Sequence, residues 1–165
     1  TTLSDQTYIG AYVPHNLVLM SDIHRLKYAM YLNNDAYEAL KKMIDAMPDE
    51  IANDFYVKEA YTSFTDLQYS NPNLAGKDER QLGHTVSIAS KSIAYQEFET
   101  SALSQWLEAH SYEYGFILRY PKRMASSTNH VYDAHYYRYV GKKNANKIYK
   151  ENSCIEEYNQ KEAAE

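Results

Sequence analysis

The chain has 165 residues, enough for one compact domain that buries a sizeable core without a disulfide or structural metal. A net charge of −5 argues against a nucleic-acid footprint, and the single cysteine, Cys154, excludes an internal disulfide and any multi-cysteine zinc motif. No apolar run approaches the roughly 18 residues needed to cross a bilayer, and no signal peptide is recognisable; the abrupt opening TTLSDQ raises the expectation that an upstream export signal or anchor has been trimmed.

In chain order, the first clear element is a helix over about Asp35 to Met47. Ala36, Ala39, Leu40, Met43, Ile44 and Met47 recur at helical period on one face. Asn33 and Asn34 are its cap candidates and Pro48 its stop. DFYVKEAYTSF reads as a strand and its exit, QYSNPNLAGKDERQLG as a loop, and HTVSIASKS as a strand alternating Val86, Ile88 and Ser90 against Ser87, Ala89 and Lys91. A second helix is expected from about Ser101 to Tyr114, capped by Gly115. FILRYP and HVYDAHYYRYV are strands with KRMASSTN as the loop between them; KKNANKIYKENS is a short helix. Residues 1–155 form the domain, and the polar tail 156–165 is expected to fray. Helices segregate from strands able to pair antiparallel, so the class is α+β: a single domain with a small, mainly antiparallel central sheet flanked by helices. The 18 tyrosines, against 4 phenylalanines and 1 tryptophan, suit half-buried strands whose hydroxyls reach the surface.

One stretch, NHVYDAHYYRYVG, holds His130, Asp133 and His135 within six residues. These are metal-ligand types, and strand alternation places Asp133 and His135 on one face. They equally describe the outside of an ordinary strand. His15, His24 and His110 have no matching partners and read as structural.

QWLEAHSYEYGFILRYP followed by YRYVG resembles the VanY-type D-alanyl-D-alanine carboxypeptidases, zinc peptidases that trim peptidoglycan stem peptides. YLNNDAYEALKKMIDAM and NSCIEEY extend the similarity to most of the chain. The resemblance implies three motifs. For GYRS, whose Arg holds the substrate carboxylate or oxyanion, the chain has AYTS, with Tyr61 kept and Thr62 in place of the Arg. For SxHxxGxAxD, which supplies two zinc ligands, LGHTVSIASK keeps His84 and Ala89 but has Ser87 for the Gly and Lys91 for the Asp. For ExWHxRYVG, anchoring on Arg138 to Gly141 puts Asp133 at the general base, His135 at the Trp and Tyr136 at the last zinc-ligand His.

On this reading His84, Lys91 and Tyr136 are former zinc positions, and Thr62 and Asp133 are degenerate catalytic ones. Tyr61, Ser87, His135 and Arg138 are candidates for binding in the old cleft. Catalytic zinc needs about three protein ligands and an open position. A lysine brings a cation where an anion is required, and a neutral tyrosine seldom binds zinc. Lys91 is expected to neutralise Asp133 in the metal's stead. The implied function is a catalytically inactive carboxypeptidase-like module without cofactor, binding a peptidoglycan stem peptide or another cell-envelope protein outside the cytoplasm. Two alternatives stand beside it. One is a diverged zinc carboxypeptidase with His84, Asp133 and His135 as relocated ligands; the other is a structural subunit using a Tyr-rich surface.

Overall fold

The computed structural model describes residues 8–164; the TTLSDQ opening and residue 165 lie outside the described residues. Two three-residue strands, β1 (Leu17–Leu19) and β2 (Tyr31–Asn33), pair antiparallel. Asn33 ends β2 and caps α1 (Asn34–Asp45), its side chain accepting from the backbone N–H groups of Asp35 at 3.0 Å and Ala36 at 3.4 Å. Ala36, Tyr37, Leu40 and Met43 of α1 are buried, the face expected from the 3.6-residue period. Pro48 ends that helix and opens α2 (Asp49–Asp54), since a proline has no N–H to donate and fits a first turn.

The central sheet runs β3 (Phe55–Glu59), β4 (Thr85–Ser90), β6 (Asp133–Tyr139), β5 (Phe116–Tyr120) from edge to edge, and every pairing is antiparallel. The expected α+β class with a small antiparallel sheet is what the chain adopts. β4 lies centrally and all six of its residues are buried. The core gathers under one face, where Val57, Val86, Ile88, Phe116 and Tyr137 pack against α1 and against α4 (Ala102–His110). Gly115 ends the second helical stretch in the left-handed region at φ 91°, which glycine enters without strain.

Three elements differ from the sequence expectation. AYTSF does not simply leave β3. Ser63 caps α3 (Phe64–Ser70) by accepting from the Asp66 N–H at 3.1 Å, a Ser-x-x-acid start signal. KRMASSTN contains a short turn of helix, α5 (Ala125–Thr128). The polar C-terminus is helical through residue 164: after α6 (Lys142–Lys150), α7 (Ile155–Ala164) docks through buried Ile155 and through Glu156, which binds Arg119.

Replacing the α1 cap, Asn33→Ala, is expected to lower stability by about 1 kcal/mol with no change of fold, as measured by urea unfolding. An unchanged midpoint would show that tertiary contacts alone hold this helix start.

Candidate functional site

The site face of the sheet is the one opposite the core. Alternation from buried Val57 would turn Glu59 toward the core, but a bulge between Val57 and Glu59 sets Glu59 opposite Ser87 instead. Ser87 in turn stands opposite Tyr136 of β6. Glu59, Ser87 and Tyr136 thus form one row across three strands. The Tyr136 hydroxyl donates to Glu59 Oε2. The Ser87 side chain is fully buried in this row, with the Tyr95 hydroxyl as its neighbour.

Arg80 comes down on this row from the turn Glu79–Leu82, a 3-10 turn between α3 and β4. Its guanidinium donates to Glu59 Oε2 at 3.0 Å and to both carboxylate oxygens of Asp78, at 3.0 and 2.6 Å. Burial works against the Arg80 charge, but Asp78 and Glu59 outweigh it and raise its pKa further above the ordinary arginine value. Burial, helped by the hydrogen bond to Glu59 and opposed by Arg80, pushes the Tyr136 phenol well above its usual range, so it stays neutral. Thr62 packs beside the same turn, its N–H donating to the Arg80 carbonyl at 3.3 Å and its hydroxyl to the Ala60 carbonyl. Tyr61 is half-buried at the exit of β3.

Beneath that turn lies a buried charge cluster. The Glu79 carboxylate receives Arg119 Nε at 2.9 Å and Nη2 at 2.8 Å, and Arg138 Nη1 at 2.9 Å. Arg119 also reaches Glu156 of α7 at 2.6 and 3.1 Å. Burial pushes the Glu79 carboxyl up, but Arg119 and Arg138 more than offset it and hold it below the ordinary glutamate value. Gln81, fully buried, fixes the other side of the turn, accepting from the Gly76 N–H and donating to the carbonyls of Gly10 and Tyr12.

Several sequence-predicted positions are not brought together. His84 precedes β4 and Lys91 follows it, so six extended residues, about 20 Å, separate two side chains expected to share one ion. Lys91 does not pair with Asp133. Its ammonium donates to the Asn53 carbonyl at 2.8 Å, and Asp133 Oδ1 accepts the His135 N–H at 2.9 Å. His135 is not a cleft residue. It is buried between Tyr95 and Phe98, ring centroids 3.7 and 4.4 Å away, with Nδ1 facing the Ile88 carbonyl at 2.7 Å and Nε2 the Tyr95 carbonyl at 2.9 Å. A register shift does exist between β5 and β6, but it leaves neither imidazole nitrogen of His135 free for a metal. The trio His84, Asp133 and His135 therefore makes no ligand set, and among the described residues no three His, Cys, Asp or Glu side chains cluster to hold an ion. Arg138 binds Glu79 inside the protein and, with His84, also lines a cavity bounded by α6 and α7. His130 is exposed and stacks on Tyr120 at 3.8 Å.

Arg80, Glu59, Asp78 and Glu79 are the residues that sequence reasoning missed, because all lie in stretches read as loop or strand exit. Zinc does not fit the arrangement around Arg80. A guanidinium has no lone pair to offer, a neutral phenol is a poor ligand, and the Ser87 alcohol carries no charge.

The family model of VanY, D-alanyl-D-alanine carboxypeptidase, matches residues 67–142. YodJ of Bacillus subtilis is 29% identical over 173 residues, covering 92% of this chain and 63% of YodJ. A D-alanyl-D-alanine carboxypeptidase of Enterococcus faecalis is 34% identical over 124 residues, covering 74% of this chain and 44% of that protein. The chain therefore spans less than two thirds of the length of either relative. Among solved structures, the LdcB LD-carboxypeptidase, whose structure bears on peptidoglycan recognition, superposes with TM-score 0.84 at 27% identity, covering 96% of this chain and 84% of LdcB. A vancomycin-resistance D,D-pentapeptidase VanY variant in complex with Zn(II) gives TM-score 0.74 at 25% identity, with 96% and 97% coverage.

Substituting Glu79→Gln removes the buried anion that Arg119 and Arg138 share and is expected to cost about 3 kcal/mol in chemical denaturation. The pH dependence has a definite sign. Because the folded carboxyl is depressed, its contribution is complete above the unfolded value of about 4.3 and is lost as pH falls through the lower folded value. Stability of the unmodified protein should therefore drop on acidification below about pH 4 more steeply than that of Glu79→Gln. Parallel acid profiles of the two proteins would contradict the assignment.

Proposed function

We propose that the chain is a non-hydrolysing member of the VanY-type D-alanyl-D-alanine carboxypeptidase family that binds peptidoglycan stem peptides outside the cytoplasm. The observation that carries this reading is the closed set around Arg80. At the centre of the site face a guanidinium is bound by two carboxylates, one of which also holds Tyr136. Peptide hydrolysis by this family's chemistry needs a metal to lower the pKa of water and a base to take its proton. Here the base position carries Asp133, whose Oδ1 accepts the N–H of His135, and the position for carboxylate or oxyanion binding carries Thr62, which has no charge.

What remains suits binding. Half-buried Tyr61 and Tyr136 offer aromatic faces beside Thr62, a combination suited to packing against a short peptide. The peptidoglycan recognition described for LdcB, with which this fold superposes over nearly its whole length, supports stem peptides as the ligand class. Among the described residues no helix is long and apolar enough to cross a membrane. Assignment outside the cytoplasm rests on the cell-wall substrates of the family.

The test is a titration of the purified chain with synthetic stem peptides ending in one or two D-alanines, followed by amide NMR shifts, alongside an assay for released D-alanine. The expected result is saturable binding that shifts the resonances of Tyr61, Thr62 and Tyr136, with no D-alanine released. Tyr136→Ala should weaken binding about tenfold, equivalent to ~1.4 kcal/mol. Release of D-alanine that depends on zinc would establish the diverged-peptidase alternative instead. Capture of an envelope protein without any peptide binding would favour the structural one.

A further inference from the structure

We propose that the Arg80 guanidinium stands at the metal position of this fold, and that Arg80, Ser87 and Tyr136 are the three side chains separating the chain from a divalent-metal site. The inference rests on the non-hydrolysing reading, but its test needs no peptide.

A His and an Asp seven residues apart share an ion only if the chain between them folds back. Between His84 and Lys91 it does not, because those residues are β4 itself, fully extended. Between Arg80 and Ser87, also seven apart, it does. The 3-10 turn Glu79–Leu82 and the left-handed Gly83, φ 74°, reverse the chain and return Arg80 over the strand that follows. The contact to Glu59 proves the return, since Glu59 stands directly opposite Ser87. Shifting the SxHxxGxAxD pattern four residues toward the N-terminus thus puts its His on Arg80 and its Asp on Ser87. Its Gly then falls on Gly83, where a Cβ would be strained at this φ and would meet Leu17 at 3.0 Å.

Tyr136, placed at the last ligand position by its distance from RYVG, is in register opposite Ser87 and shares the same Glu59 oxygen with Arg80. All three positions therefore meet at one point of the sheet, which the His84 and Lys91 pair does not do. A fixed cation sits between Asp78 and Glu59, and Ser87, buried and opposite Glu59, brings no charge of its own to the row. A resident cation of the chain itself answers the local negative charge that an ion would otherwise answer.

The experiment is the triple variant Arg80→His, Ser87→Asp, Tyr136→His, titrated with cobalt(II) under visible absorption and then with zinc in competition. The expected result is one cobalt per chain with the intense d–d bands of a tetrahedral site, displaced by zinc, and lost when any one of the three changes is reverted. The comparison variant Lys91→Asp, Tyr136→His, which keeps His84, should bind no more cobalt than the unmodified chain. If the triple variant is poorly folded without metal, the same answer is read from its melting temperature, which zinc should raise by mass action. Cobalt bound by the comparison variant but not by the triple variant overturns the inference. So does a triple variant that neither binds cobalt nor gains melting temperature while the unmodified chain also binds none; that outcome leaves the peptide-binding reading standing. Stoichiometric zinc in the unmodified chain overturns both.

Discussion

The structure depends on one buried carboxylate. Glu79 is held by Arg119 from β5 and Arg138 from β6, and Arg119 is held in turn by Glu156 from α7. A charge so deeply buried is tolerable only when it is paired and its remaining lone pairs are hydrogen-bonded. Both conditions are met here by residues from three separate elements. The clamp therefore ties the two motif strands, the C-terminal helix and the turn before β4 into one unit. The turn is short and irregular, with little apolar area of its own, and the ion pairs beneath it decide where its next residue, Arg80, points.

Given that anchorage, the site face follows from sheet geometry. The bulge in β3 turns Glu59 out of the core, register places Ser87 between Glu59 and Tyr136, and the turn lays Arg80 across the row. The outcome is a site in which one guanidinium is shared between two carboxylates, with no ion needed to bring them together. A guanidinium offers donors only, so its neighbours are acceptors, and the arrangement is stable without any added ion. FILRYP and RYVG supply Arg119 and Arg138 to the clamp, which gives both segments a role in holding the fold.

Much of the fold was legible in the sequence, and the reasons are local. The buried face of α1, the Asn33 cap, Gly115 and the strands around Val86, Ile117 and Tyr137 announce themselves by period, cap chemistry or β-branched and aromatic content. The three-residue strands Leu17–Leu19 and Tyr31–Asn33 are too short to show alternation. α3 was signalled by Ser63 and Asp66, but its apolar content resembles a strand exit. α7 looks like a polar tail because what pins it is an ion pair to a residue 37 positions away. For the site, His84 drew the motif to the register that ends on Lys91, whereas the proposed register turns on Gly83, one residue earlier, whose left-handed backbone reverses the chain. The contacts that matter most, Glu79 to Arg119 and Arg80 to Glu59, span 40 and 21 residues and leave no local trace in the sequence.

The central claim is that the chain's own cation holds the place of a metal. Native mass spectrometry of the unmodified protein in excess zinc tests it most directly. The account predicts the metal-free mass, with any zinc adducts non-stoichiometric and unaffected by Tyr136→Ala. One zinc per chain, lost on substitution of Tyr136 or His84, would contradict it.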